Sequence, residues 1–162
     1  MKAIVAVDLN WGIGKGRELL QFIPEDMKFF KEKTLGNVVI MGRETFESLP
    51  GKNPLVNRKN IVLSRDPNFI DDRFTICRSI EEALEEVKGV DSDKVFVIGG
   101  EKIYKQFLPY CSELFITKIQ KEYDADKYFP NVDSENQFKL KYESDMKNHN
   151  GLEFYFTTYE KQ

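Results

Sequence analysis

The chain has 162 residues and a formal net charge of −3, from 24 lysines and arginines against 27 aspartates and glutamates. This length suits one domain with a full hydrophobic core and is short for two. The weakly acidic charge argues against a nucleic-acid-binding surface, and the longest apolar run, residues 3–7, is far too short for a signal peptide or a transmembrane helix. We therefore expect a cytoplasmic monomer that binds small molecules, with no nucleic-acid or membrane partner.

Short apolar runs rich in β-branched residues predict about eight strands, at residues 3–7, 38–41, 61–63, 74–77, 95–98, 114–119, 138–142 and 154–159. Helices are predicted between them, at residues 24–34, 43–49, 79–88 and 101–108. Because continuous apolar strands alternate with helices, we predict a single α/β domain. Its central sheet would have eight strands, mostly parallel, with an antiparallel C-terminal edge and about four flanking helices.

Residues 9–23 follow the first strand and contain three glycines without a clear hydrophobic period. A loop of this length in a compact domain usually serves as a functional lid or a binding loop. Trp11 lies in this segment and is interpreted as packing, with no chemical role. The segment leads directly into the first predicted helix, which begins at Pro24.

Asp26 is the most informative residue of that helix, because it lies three and four residues before Phe29 and Phe30 and so shares their face. The polar stripe is a different one and carries Glu25, Lys28 and Glu32. Burying a carboxylate without a partner is costly, so such a site usually holds a ligand or a paired charge. The alternative is a first-turn acid that only satisfies the helix dipole, and helix position alone leaves both interpretations open.

Arg43, Arg65 and Arg78 each stand just beyond a predicted strand. The carboxyl ends of parallel strands share one edge of a sheet, where open α/β proteins bind ligands, so the three guanidinium groups are expected to converge. Convergent arginines bind phosphate, and a phosphorylated dinucleotide is the natural ligand of this architecture. One such arginine alone would more often form a surface ion pair.

Two junctions of strand, glycine and helix add to this expectation. Gly99 and Gly100 precede the helix at 101–108, and glycines there let the backbone approach a pyrophosphate. Gly42 repeats the arrangement, with Thr45 able to cap the next helix and to contact a phosphate. Neither junction has the Gly-x-Gly-x-x-Gly or P-loop pattern, which argues against an ordinary Rossmann or P-loop domain.

Few other residues offer chemistry. Cys77 and Cys111 lack a Cys-x-x-Cys spacing and are interpreted as reduced core thiols. His149 lies in a turn-like sequence, so neither a histidine triad nor a metal site is expected. Arg58 has no acidic sequence neighbour, and the residues alone favour an ordinary surface-loop position for it.

Together these segments resemble dihydrofolate reductase over essentially the whole chain. The most specific parts occur in order, at residues 6–8, 12–14, 24–26, 39–48, 58–65, 97–100, 104, 107–109, 117–119 and 129–130. The resemblance implies one dihydrofolate-reductase-like domain over residues 1–162. It also implies NADPH-dependent reduction of 7,8-dihydrofolate to 5,6,7,8-tetrahydrofolate, with hydride transfer to C6, water-mediated protonation of N5 and supply of one-carbon metabolism. Antifolate-like molecules would share the substrate site.

Carried over residue by residue, the resemblance implies that Asp26 and Thr117 are catalytic and orient the pterin, and that Arg58 pairs with the α-carboxylate of the glutamate tail. The substrate site would comprise Ile4, Val5, Ala6, Asp26, Met27, Phe30, Leu55, Arg58, Ile98, Tyr104 and Thr117. The cofactor site would comprise Ala6, Ile13, Gly14, Gly42, Arg43, Thr45, Leu63, Ser64, Arg65, Arg78, Gly99, Gly100, Glu101, Lys102 and Ile103. The Gly99–Gly100 peptide bond would be cis.

Two features depart from the family pattern. Leu20 and Gln21 stand where many members have Pro-Trp, which bears on proton delivery and lid rigidity, and residues 50–57 form a longer segment than is common. Two alternative functions are a related reductase acting on a ribosyl-pyrimidine and a nucleotide-binding protein without catalysis. The first lacks the Pro-x-Asp helix start, and the pair of Asp26 and Thr117 disfavours the second.

Overall fold

The structure is a computed structural model that describes residues 1–16 and 18–162. Its α-helices are α1 (Pro24–Thr34), α2 (Arg43–Ser48), α3 (Ile80–Glu86) and α4 (Glu101–Phe107). Its strands are β1 (Lys2–Val7), β2 (Gly12–Lys15), β3 (Glu18–Leu19), β4 (Val38–Gly42), β5 (Lys59–Leu63), β6 (Thr75–Cys77), β7 (Val95–Gly99), β8 (Glu113–Ile119), β9 (Lys127–Tyr128), β10 (Phe138–Glu143), β11 (Lys147–His149) and β12 (Leu152–Lys161).

The main sheet has the order β10-β12-β8-β1-β7-β4-β5-β6, and the short β11 pairs with β12. The strands from β8 to β6 in that order are parallel, whereas β12 runs antiparallel to both β8 and β10. All eight predicted strands and all four predicted helices are present. The predicted fold class, a single α/β domain with a mostly parallel sheet and an antiparallel C-terminal edge, is confirmed.

The central strands are apolar throughout because both of their faces are covered. In β4, Val38 and Ile40 join the core on one face of the sheet, while Val39 and Met41 join the core on the other. The alternation follows from the two-residue period of a strand. Edge strand β10 is different, since only Phe138 at its start is buried. The sheet is therefore a rigid platform whose strand ends can position a site.

The prediction that residues 9–23 form a loop is wrong in part. Strands β2 and β3 lie in this segment and form a separate antiparallel sheet with β9, in the order β3-β2-β9. Neither strand has an apolar alternation, because β2 contains two glycines and β3 is exposed. These strands form because β2 pairs with β9, which is distant in the sequence, and such a pairing leaves no local sequence pattern. The turn-like sequence around His149 is likewise only partly a turn, since His149 ends β11.

The N-terminal ends of helices α3 and α2 are capped differently. The Ser79 hydroxyl accepts a hydrogen bond from the Glu82 backbone N–H at 3.1 Å, as expected for an N-cap. The Glu82 carboxylate accepts a hydrogen bond from the backbone N–H of Arg78, which precedes this N-cap. Helix α2 has Gly42 as its N-cap and no side-chain capping bond, so capping by Thr45 is not observed. Within residues 1–16 and 18–162, none of the helices has the length and apolar content needed to span a bilayer.

Candidate active site

Asp26 and Thr117 form the polar centre of the candidate site. Asp26 lies in the first turn of α1, and its Oδ1 accepts a hydrogen bond of 2.6 Å from the Thr117 hydroxyl. Thr117 is buried in β8, where it pairs with Ala6 of the neighbouring β1. Residues 91 positions apart in sequence are thus held together by one helix and two central strands.

The environment of Asp26 distinguishes between its two interpretations. Burial raises the pKa of the Asp26 carboxyl above its ordinary value, and the hydrogen bond from Thr117 only partly opposes that increase. In the part of the chain that the structure describes, no lysine or arginine nitrogen lies within 4.0 Å of this carboxylate. A carboxylate that only served the helix dipole would stay in water. Asp26 is instead half-buried and able to receive a cationic or hydrogen-bond-donating ligand.

An apolar wall accompanies this carboxylate. Ile4 is buried, and Phe30, Leu55 and Ile98 pack half-buried against the same hydrophobic cluster. Tyr104 is buried on the other side of β1 and donates its hydroxyl to the Ile4 carbonyl at 2.7 Å. Val5 and Ala6 are half-buried in the same strand, and Met27 is 38% exposed on the adjacent turn of α1. The residues predicted for the substrate site thus come from α1, β1, β7, β8, α4 and the loop before β5.

Arg58 is more enclosed than an ordinary surface-loop residue. Its Nη1 donates to the Thr34 hydroxyl at 3.1 Å and its Nε donates to the Val56 carbonyl at 3.0 Å. Burial lowers the pKa of this guanidinium, which shows that the charge is partly removed from water. Across the described ranges, no carboxylate lies within 4.0 Å of it. A half-buried arginine without an acidic partner suits a ligand carboxylate.

Asn60 fixes the loop that carries Leu55 and Arg58, and sequence reasoning missed it. Its carboxamide accepts from the Leu55 N–H and donates to the carbonyls of Leu55 and Arg58, at 2.8 to 3.0 Å. Asn60 is 5% exposed at the start of β5. The available signal was a polar residue directly before an apolar strand, where a buried amide needs partners from the preceding loop.

A cleft of about 730 Å³ lies at the carboxyl ends of β4, β5 and β7. Its lining includes these predicted cofactor residues: Gly42, Arg43, Leu63, Ser64, Arg65, Arg78, Gly100, Glu101, Lys102 and Ile103. Ala6, Ile13, Gly14, Thr45 and Gly99 lie outside its lining, on β1, β2, α2 and β7. The three arginines predicted from their strand ends are therefore brought to one cleft.

Those arginines have different local partners. The Arg78 guanidinium donates to the carbonyls of Ser64, Asp66 and Phe69, at 2.6 to 3.2 Å, and so ties down the loop after β5. The Arg43 guanidinium lies 4.0 Å above the centre of the Phe69 ring, and its Nε is 3.2 Å from Glu47. Arg65 is exposed on the loop that Arg78 holds. Of the three, Arg65 is the best placed to reach a ligand without giving up bonds within the loop.

Glycine is required where helices α2 and α4 begin. A Cβ on Gly42 would lie 2.8 Å from the Ile103 side chain, and a Cβ on Gly99 would lie 3.1 Å from the Thr45 hydroxyl. The Gly99–Gly100 peptide bond is cis, as the resemblance implied. Thr45 therefore lies directly against the Gly99–Gly100 junction, although it does not cap its helix.

The cleft also includes residues that were not predicted. Gln106 lies one helical turn after Lys102 on α4, and this i, i+4 spacing was a usable signal. Lys127 enters the cleft from β9, whose two residues gave no strand pattern. Trp11, interpreted as packing, stacks on Phe129 with ring centroids 6.4 Å apart.

A mostly parallel sheet with an arginine-lined cleft at its strand ends, in a chain that also carries a half-buried carboxylate, is typical of α/β proteins that bind a nucleotide and a second small molecule. Comparison with known proteins identifies the family. The model of the dihydrofolate reductase family matches residues 1–161. The chain is 38% identical over 160 residues to a dihydrofolate reductase of Bacillus subtilis (strain 168), covering 98% of this chain and 93% of that protein.

A dihydrofolate reductase of Staphylococcus haemolyticus is 35% identical over 159 residues, with the same coverage of 98% and 93%. The solved structure of an Enterococcus faecalis dihydrofolate reductase, complexed with NADP(H) and RAB-propyl, matches with a TM-score of 0.88 and 32% identity, covering 99% of this chain and 95% of that one. The chain belongs to the dihydrofolate reductase family.

Proposed function

We propose that this protein reduces 7,8-dihydrofolate to 5,6,7,8-tetrahydrofolate with NADPH, by hydride transfer to C6 and water-mediated protonation of N5, and so supplies one-carbon metabolism. The observation that carries the proposal is the hydrogen-bonded pair of Asp26 and Thr117 with its apolar wall, in a chain that also has a cleft lined by arginines and lysines. Family membership supports the same reaction.

Asp26 would bind the amidine edge of the pterin. Its carboxylate can accept two hydrogen bonds from neighbouring N–H groups, and Thr117 already fixes its orientation. The negative charge favours a protonated pterin, and the apolar surroundings weaken screening of that interaction. Asp26 thus holds the substrate and favours its protonation, while the apolar wall formed by residues such as Phe30 and Ile98 keeps bulk water away.

Arg58 would bind the α-carboxylate of the glutamate tail. The guanidinium is half-buried, and its described hydrogen bonds use Nε and Nη1 for neutral oxygens. Asn60 holds the backbone on both sides of the loop, so Leu55 and Arg58 keep a fixed spacing. A charge-assisted, bidentate pair between arginine and carboxylate would complete the binding of this group.

The residues of the basic cleft fit NADPH. Its lining has five basic residues and three acidic ones, and this positive balance suits an anionic ligand with several phosphates. The basic residues are Arg43, Arg65, Arg78, Lys102 and Lys127, and the acidic ones are Glu44, Glu81 and Glu101. The Gly42 and Gly99–Gly100 junctions leave the backbone accessible where a side chain would clash. Ser64 and Arg65, with Arg78 holding their loop, would read the 2′-phosphate. NADPH would supply the hydride. Ala6, Ile13 and Gly14 would border the nicotinamide from β1 and β2.

The same substrate site would accept antifolate-like molecules, because a cationic diaminopyrimidine presents the donor pattern that suits Asp26. The Enterococcus faecalis protein carries a second ligand, RAB-propyl, together with NADP(H). Inhibitor binding to this chain would therefore depend on Asp26 in the same way as substrate binding.

The decisive test is loss of the NADPH absorbance band in the presence and absence of dihydrofolate. Oxidation that requires dihydrofolate and yields tetrahydrofolate supports the proposal. A protein that binds NADPH but does not oxidise it with dihydrofolate would be the nucleotide-binding alternative. Oxidation with a ribosylated pyrimidine but not with dihydrofolate would assign the related reductase function.

A further inference from the structure

Arg73 lies in the loop before β6 and holds a turn that is distant from it in the sequence. Its Nη1 donates to Asn53 Oδ1 at 2.8 Å, and its Nη2 donates to the Lys52 carbonyl at 3.1 Å. These contacts join residues 20 and 21 positions apart. The turn at residues 50–53 is therefore attached to the loop before β6.

Asp71 fixes the orientation of the Arg73 side chain. Nε and Nη2 of Arg73 donate side by side to the two carboxylate oxygens, at 3.0 and 2.7 Å. The hydrogen bond from the Arg73 side chain holds the pKa of Asp71 below its ordinary value, so the pair stays charged at neutral pH. All three nitrogens of the guanidinium thus donate, and its plane cannot turn without breaking hydrogen bonds.

The loop that carries Arg73 is itself anchored in the core. Phe74, the next residue, is 7% exposed, and its ring meets the Phe46 ring of α2 edge-on with centroids 5.0 Å apart. Helix α2 ends at Ser48, shortly before the turn starts. The chain that enters the turn and the loop that holds it therefore pack against each other.

The backbone of the turn has a conformation that gains from an external contact. Gly51 and Lys52 both have positive φ values, of 63° and 54°. This left-handed region is unfavourable for a lysine, because the Cβ crowds the backbone. The Lys52 N–H donates to the Leu49 carbonyl at 2.8 Å, and the Lys52 carbonyl accepts from Arg73. Both backbone groups of the strained residue are thus bonded.

The turn connects two residues of the apolar wall. Leu49 and Leu55 pack half-buried against the hydrophobic cluster that contains Ile4. Asn60 binds the N–H and the carbonyl of Leu55, so it holds the far side of this connection. Arg73 holds the near side. A connection fixed at both sides keeps Leu55 at a set distance from the rest of the wall.

We propose that Arg73 is a positioning residue for the substrate site, because by fixing the turn at residues 50–53 it sets the place of Leu55. It would thereby set the affinity for the part of dihydrofolate between the pterin and the glutamate tail. This inference rests on the proposed function. Arg73 precedes β6 and Arg78 follows it, so the two arginines serve loops at opposite ends of that strand.

Arg73→Met removes every contact of the guanidinium with the turn. The dissociation constant of dihydrofolate should rise by about three- to tenfold, the loss expected for one or two hydrogen bonds. The dissociation constants of NADPH and of a pterin without the benzoylglutamate tail should stay unchanged. The single-turnover rate of NADPH oxidation at saturating dihydrofolate should also stay unchanged, because the pair of Asp26 and Thr117 is not disturbed.

Two further variants sharpen the comparison. Lys141→Gln is a control for the loss of an exposed ion pair, because Lys141 pairs with Glu113 and Glu160 near the other edge of the sheet. It should bind all three ligands as the parent does. Asn53→Ala removes the acceptor of Nη1 and should weaken binding of dihydrofolate in the same direction as Arg73→Met. Combining the two substitutions should cost no further affinity.

Different failures overturn different statements. If the parent neither binds dihydrofolate nor oxidises NADPH with it, the proposed function is wrong and the positioning role falls with it. If the parent is active but Arg73→Met binds dihydrofolate as tightly as Lys141→Gln, the positioning role alone is wrong. An equal loss of affinity for all three ligands, or a lower thermal midpoint without loss of affinity, would make Arg73 purely structural. Full additivity of Arg73→Met and Asn53→Ala would overturn the role of their contact.

Discussion

The Asp26 carboxylate lies in surroundings that disfavour its ionised form. The carboxylate has one strong hydrogen bond, from Thr117, and the pKa of Asp26 is raised because burial removes water from the ionised form. Such a group is poorly stabilised in the free protein and well prepared for a ligand that brings a positive charge. Its two consequences, for the reaction and for stability, can be tested with one substitution.

Asp26→Asn should lower the rate of hydride transfer to dihydrofolate at neutral pH by at least about 10²-fold, the scale of losing an acid–base group. The difference in rate between Asp26→Asn and the wild type should become smaller as the pH falls. At acid pH the solvent protonates the substrate, and the carboxylate is no longer needed to favour the protonated form. Single-turnover NADPH oxidation, followed from neutral to acid pH, measures both effects. Glu25→Gln removes the exposed neighbouring charge and should leave the rate unchanged. A constant deficit at all pH values would contradict the assigned role.

The same substitution should stabilise the free protein at neutral pH. A folded-state pKa above the unfolded value means that the wild type has its full stability below the unfolded value and loses part of it as the pH rises through the folded pKa. The asparagine of the variant does not ionise, so its unfolding free energy relative to wild type should increase with pH above 3.8, the ordinary pKa of the carboxyl. Denaturant unfolding without ligands measures it. A difference that does not depend on pH would exclude burial of the charge as the cause.

At the level of elements, the site depends on loops that are fixed by long-range hydrogen bonds. The loop before β5 is held by Asn60, and the loop after β5 is held by Arg78. Both loops lie at ends of the same strand, so β5 positions a proposed substrate contact at one end and a proposed cofactor contact at the other. Substitutions in these loops should therefore affect one ligand and spare the other.

Arg58→Leu should weaken binding of dihydrofolate much more than binding of a pterin without the glutamate tail, because the lost partner is the α-carboxylate. Loss of a charge-assisted pair corresponds to about tenfold or more in the dissociation constant. Equilibrium binding of the two ligands gives the comparison. Thr34→Val is a matched control that removes the hydroxyl bonded to Arg58 but keeps the guanidinium. If both ligands lost the same affinity in Arg58→Leu, the arginine would be structural.

At the scale of the whole molecule, the proposed cofactor cleft is assembled from the ends of β4, β5 and β7 together with α4 and β9. Such a site depends on the complete fold, so ligand binding should stabilise the entire chain. Binding to the folded state alone raises the unfolding free energy in proportion to the logarithm of ligand concentration. The preference between NADPH and NADH can therefore be measured from thermal unfolding as well as from turnover rates.

NADPH should support faster turnover than NADH and should raise the thermal midpoint more at equal concentration, because Arg65 and Ser64 would bind the 2′-phosphate. Arg65→Gln should reduce the preference by about tenfold or more, the effect of one or two charge-assisted bonds. The midpoint without cofactor should not change, since Arg65 is exposed. Arg78→Gln is expected to lower that midpoint as well, because it releases three carbonyls of the loop. Equal use of both cofactors by the unmutated protein would refute the assignment.

The hydrophobic pattern of the sequence predicted the strands of the main sheet and the helices well. It did not predict the small second sheet, and the reason is physical. A continuous apolar run such as residues 95–98 can be kept from water only in a strand that is covered on both faces of the sheet. Its assignment as a central strand therefore follows from the sequence. Strands β2, β3 and β9 have no such runs. The pairing of β2 with β9 joins residues 113 to 116 positions apart, which a window of local sequence cannot include.

The sequence by itself determined the fold class, the positions of the arginines at strand ends and the unusual place of Asp26 on a half-apolar helix face, because these depend on periods of two and 3.6 residues. Only the tertiary structure decided which groups meet. It placed Thr117 against Asp26, turned Arg78 towards the carbonyls of the loop after β5, and brought the N–H of Tyr123 to Asp8. Hydrogen bonds of this kind join residues that are far apart in sequence, so their partners are set by how the strands pack and not by any local pattern.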